Sequence, residues 1–234
     1  MKWHDSDVIK WVAIVDYLGI VAFAIGGASL KSTFNDQHWE LDTVSRMVTR
    51  SSGIQNGFAV FTVASVIAIT LAVNTVIYRI EDSPKYQIKY HQQLKYATWV
   101  ALFISAITLI GLGVASLEVD EAIHTNMAGS AFTALYFVML FITYMSEQVL
   151  KWPKFTWGTL IVGFASLVAL ALYALPDREE GERNPGYYWE YILITALHAV
   201  LLSLYQIKES KECFVTNITF VHRALQPENF HLRT

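Results

Sequence analysis

Gly57-Phe-Ala-Val-Phe-Thr-Val-Ala-Ser-Val-Ile-Ala-Ile-Thr-Leu-Ala-Val-Asn-Thr-Val-Ile77 reads as a helix without a polar face. Its polar members, Thr62, Ser65, Thr70, Asn74 and Thr75, are scattered and uncharged. A surface helix of a soluble protein carries a polar stripe that returns roughly every 3.6 residues. This stretch has none, and it matches the roughly 20 apolar residues that cross a bilayer. Five further stretches match it, so that the expected spans are about 10–30, 57–79, 96–117, 126–147, 155–176 and 188–208. The predicted fold is an all-α polytopic membrane protein. One bundle of six transmembrane helices fills residues 1–208, and a tail follows over 209–234.

Composition agrees. Hydrophobic residues make up 54% of the chain and charged residues 16%, whereas soluble domains carry about 25% charge. With six spans, Lys2, Lys10, Arg79, Lys85, Lys89, Lys95, Lys151, Lys154, Lys208, Lys211, Arg223 and Arg233 fall on one side. Only Lys31, Arg46, Arg50, Arg178 and Arg183 fall on the other. The positive-inside bias then sets both termini and the tail in the cytosol. His4, Asp5 and Asp7 precede an apolar run too long for a signal h-region, so no cleavable leader is expected. The far side is acidic, from Asp36 and Glu40 through Glu118 and Asp120 to Glu182, and offers no basic patch for nucleic acid. Cys213 is the only cysteine, which excludes an internal disulfide and Cys-rich metal centres. It follows the last span on the cytosolic side, where it is a candidate for palmitoylation as well as for a plain tail thiol.

Ionisable groups inside spans are costly and call for a partner or a purpose. Asp16 stands about six residues into the first span, roughly 9 Å deep. Asn74, Glu147 with Gln148, and Lys95 reach a similar level from their own spans. Two readings stand open: a polar pocket in the cytosolic leaflet, or ordinary interhelical hydrogen bonds with Lys95 and Glu147 snorkelling to water. His198 is the deepest ionisable group, about ten residues into the sixth span. Counted this way, depth separates it from Asp16, and an acid–base pair between them is not expected. No histidine faces it at matching depth for haem, no lysine lies mid-span, and no HExxH, GxSxG or P-loop motif occurs. An enzyme is disfavoured, and neither metal nor cofactor is expected beyond a bound membrane lipid.

The connection between the third and fourth spans places Glu118, Asp120 and Glu121 just before His124. It supports either a helix cap with local order or a weak cation site. From about Leu94 to Phe220, Lys95, Trp99, Gly113, Ala115, His124, Gly129, Phe132 and the tail Phe214-Val-Thr216 form a pattern. In it the chain resembles the DRAM/Frag/Sfk group of six-span proteins, the damage-regulated autophagy modulators and their relatives. It departs from them in lacking a proline within 44–55 and in offering His198, or Glu190 at the span's start, where they carry a glutamate within the sixth span.

The resemblance implies a non-enzymatic membrane regulator or adaptor that organises lipids or docks a protein, at the plasma membrane, endosome or lysosome. Its expected contacts are membrane lipids and a protein partner bound through the connection 80–95 and the tail. The alternative is a lipid- or ion-handling transporter or channel accessory subunit that uses Asp16, Asn74 and His198.

Overall fold

The computed structural model describes residues 5–34, 44, 52–81, 90–114, 121–147, 150, 152–174 and 186–204. They form six helices: α1 (Asp5–Phe34), α2 (Ser52–Glu81), α3 (His91–Val114), α4 (Glu121–Ser146), α5 (Pro153–Ala174) and α6 (Gly186–Leu204). Five are long and apolar enough to cross a membrane, namely those holding Ile9–Gly27, Ser52–Glu81, His91–Leu112, Ile123–Ser146 and Pro153–Leu172. The apolar part of α6, Tyr188–Leu204, is shorter. The chain is a helical, membrane-embedded protein. Glu118, Asp120, Cys213 and the tail lie outside the described residues.

Helices outrun the apolar stretches that announce them. α1 and α2 each have 30 residues, about 45 Å of helix against a hydrocarbon layer of about 30 Å. Their ends therefore leave the apolar zone while the backbone ladder continues. α5 opens on Pro153, whose missing N–H is harmless in a first turn. The Thr156 N–H there donates to the Trp152 carbonyl at 3.2 Å.

Hydroxyls within the spans are mostly satisfied by their own helix, as an apolar solvent demands. Thr62, Thr70 and Thr75 donate to the carbonyls of Phe58, Val66 and Leu71 at 2.8, 2.7 and 2.8 Å. Thr98 and Thr108 repeat the pattern in α3. Ser65 breaks it, because its hydroxyl leaves α2 for another helix.

α1 packs between α2 and α6, α3 pairs closely with α4, and α5 pairs closely with α6. α4 touches α2, α3, α5 and α6 and buries more of its length than the other four long helices. The core gathers Ile77 and Ile80 from α2, Met139, Ile142 and Met145 from α4, and Leu193, Leu197 and Leu201 from α6. Lipid tails are as apolar as these side chains, so close dispersion contact rather than release of water holds them together. The outer faces expose Val60, Ile67, Phe103, Ile161 and Leu172. Such a surface on a soluble monomer would be a large adhesive patch; here lipid covers it.

Candidate functional site

Asp16 and His198 meet. The structure overturns the expectation that depth keeps them apart: His198 Nε2 lies 2.8 Å from Asp16 Oδ2. Asp16 is 5% exposed and the His198 side chain 12%. In α1, which begins at Asp5, Asp16 stands eleven residues along, about 16 Å. His198 stands six residues, about 9 Å, before the last residue of α6. Counting inward from the edges of apolar stretches ignores how far neighbouring helices are offset along their axes. That offset brings the two side chains level.

Three helices build the group. Ser65 of α2 donates its hydroxyl to Asp16 Oδ1. His198 Nδ1 lies 2.7 Å from the Ile194 carbonyl, one turn back on α6. A carbonyl only accepts, so Nδ1 carries the hydrogen and fixes the ring. Tyr17 packs over that ring with centroids 5.5 Å apart. Thr195 Oγ1 donates to the Tyr191 carbonyl at 2.7 Å. Its one hydrogen is thereby used, so in the 3.2 Å contact between them the Tyr17 hydroxyl donates to Thr195. α1 and α6 are thus joined twice, once through ionisable groups and once through neutral hydroxyls.

The order of the group also decides what chemistry it can do. In a nucleophile relay the histidine stands between hydroxyl and carboxylate. Here the carboxylate stands between serine and histidine, and both ring nitrogens are engaged. Ser65 therefore faces the carboxylate and not the imidazole, the reverse of that relay's order.

Other candidates lie elsewhere. Asn74 follows Ser65 by nine residues on α2, about 13 Å by helical rise. Glu147 is exposed in the turn after α4. Lys95 bonds Glu81 rather than joining Asp16: Glu81 Oε1 receives Lys95 Nζ and faces His91 Nε2, both at 2.7 Å. Lys95 and Glu81 are each about a third exposed, and pairs in contact with water contribute roughly 0–1 kcal/mol. Lys95→Met is accordingly expected to change stability by no more than about 1 kcal/mol, as steric-trapping measurements in bicelles will read. His124 is buried, 5% exposed, one turn into α4.

Sequence reasoning missed three participants. Ser65, Tyr17 and Thr195 look like ordinary span residues, and no spacing separates them from the self-bonded threonines. Glu190, noted only as the start of a span, is buried, and its Oε2 accepts the Val44 N–H at 3.2 Å. Val44 itself packs on Ile194, so this contact lies next to the His198 turn. No protein-family model, curated protein or solved structure matches the chain.

Proposed function

We propose that the chain is a six-span membrane protein with cytosolic termini that handles a small ion at the Asp16–Ser65–His198 group. One observation carries this: a buried acid and a part-buried base are in direct contact across two helices of an apolar bundle. Inside a membrane such groups are expensive, and they mark ion paths and proton relays. Packing here already has a cheaper neutral joint in Tyr17 and Thr195.

The full chain reconstituted in liposomes is expected to pass protons or alkali cations, with Asp16→Asn reducing the flux at least tenfold. Equal flux from both proteins, or none from either, removes the ion-handling role. The adaptor reading would then stand alone. In its favour is an open groove of about 810 Å³ between α3 and α4, walled by Val100, Ile104, Phe137 and Phe141 over Ala97 and Gly129. That outward face suits a lipid-organising or docking protein.

A further inference from the structure

We infer that the ion is a proton, one per chain, shared on the axis between Asp16 Oδ2 and His198 Nε2; this rests on the ion-handling function proposed above. The hydrogen-bond inventory supports it. His198 Nδ1 spends its hydrogen on the Ile194 carbonyl. The 2.8 Å contact on the other side of the ring then joins Nε2 to a carboxyl oxygen. With no hydrogen between them, two lone pairs would oppose each other across a buried negative charge. One proton removes both penalties, whether it sits on oxygen or on nitrogen, and the unit becomes neutral overall.

Proton release therefore cannot leave both contacts of the ring intact. If the remaining hydrogen stays on Nδ1, Nε2 repels Asp16. If it moves to Nε2, Nδ1 loses the Ile194 carbonyl. Only in the first case is the joint between α1 and α6 weakened; in the second, Nε2–H still donates to Asp16 and the loss falls within α6. Uptake is a simple transfer: hydronium delivers a proton to the carboxylate–imidazole unit and leaves as water. No other bond is made or broken.

A metal cation fits the same place poorly. Hard divalent cations take about six to eight oxygen ligands. The group offers the two oxygens of Asp16 and one of Ser65, next to a ring nitrogen. Four residues above and below, the helices carry Val12 and Ile20, Phe61 and Ile69, Ile194 and Leu202, while the nearer hydroxyls of Thr62 and Thr195 are bound to the carbonyls of Phe58 and Tyr191.

Neighbouring ionisable groups do not compete for the place. From α1, Tyr17 lies on the ring with its hydroxyl turned to Thr195, and Lys10 sits over the Trp11 ring. The α2 contact is Ser65. α5 also meets α6, near Ala196 through Gly163 and at Ser203 through the Thr156 hydroxyl, both uncharged. Glu190 is two turns away on α6 and takes the Val44 amide.

The test counts protons on purified full-length chain in nanodiscs, using an indicator dye in weak buffer through an alkaline jump. Asp16→Asn and His198→Gln are each expected to release about one proton fewer than the parent. Their double variant is expected to release no fewer than either alone, because the proton is shared. Additive losses, or unchanged counts, overturn the inference. Should a variant fail to fold, the parent still decides: sodium or potassium chloride at constant pH is expected to displace no proton. A stoichiometric release on adding either salt assigns the site to that cation instead. The two claims also separate. A shared proton without flux in liposomes leaves this inference standing and removes transport. Asp16-dependent alkali flux without a shared proton does the reverse.

Discussion

Asp16→Ala is expected to lower the unfolding free energy of the bundle by about 1–3 kcal/mol, the usual cost of leaving buried polar groups without a partner. The loss comes from what remains. His198 Nε2 and the Ser65 hydroxyl, both turned toward Asp16 from inside an apolar bundle, lose their partner together. Neutral hydrogen bonds between membrane helices contribute far less, about 0.6 kcal/mol on average, so the Tyr17–Thr195 contact cannot compensate. Asp16→Leu combined with His198→Leu is expected to recover most of the stability, since apolar replacements of buried ion pairs are often neutral or better. Proton binding and flux are not expected to return with it. Steric trapping of single and double variants in bicelles checks the first point. A double variant as unstable as Asp16→Ala alone would show that the pair holds the fold together rather than serving a separate purpose.

Gly19→Leu has the second large effect expected. One turn from Asp16, a Cβ on Gly19 would collide with the Cε2–Cζ edge of the Phe61 ring. That ring is itself held among Phe23 and Phe58, with centroids 5.4 and 6.2 Å away. Phe61 thus has little room to yield to a whole leucine, and α1 must move off α2. Overpacking of this kind costs about 1–3 kcal/mol. Because Phe61 precedes Ser65 by one turn, the shift also draws Ser65 from Asp16. The expected readouts are a lowered thermal transition in detergent and a weakened Asp16-dependent flux. Parent-like behaviour in both would show that the ring turns aside freely. The neighbouring site Gly26 makes the comparison: its nearest prospective contact is 3.9 Å away, so Gly26→Ala should pass almost unnoticed.

Residues that speak through composition are legible from the chain's local chemistry alone. The faceless run 57–77 announces a membrane helix because bilayer crossing depends on local hydropathy and length, both properties of a short segment. Asp16 and His198 stand out for the same reason, since a charge in an apolar run is visible without knowing its neighbours. Their meeting is not legible in this way. It depends on the axial offset between helices 182 positions apart in sequence, which packing sets and hydropathy does not record.

Ser65 makes the contrast within one helix. Thr62, Thr70 and Thr75 turn back to their own carbonyls, whereas Ser65 faces α1. Nothing in the local pattern distinguishes them, because all four are small hydroxyls in the same apolar run. Lys95 is similar: the charge can be read, but its partner Glu81 lies on the preceding helix. Local chemistry thus establishes that this chain enters a membrane, which stretches become helices, and which side chains are out of place there. Which of those side chains touch, and in what hydrogen-bond order, follows from the packing of α1 between α2 and α6. Contact between distant helices reflects the complementarity of whole surfaces, and no single stretch of chain carries that information.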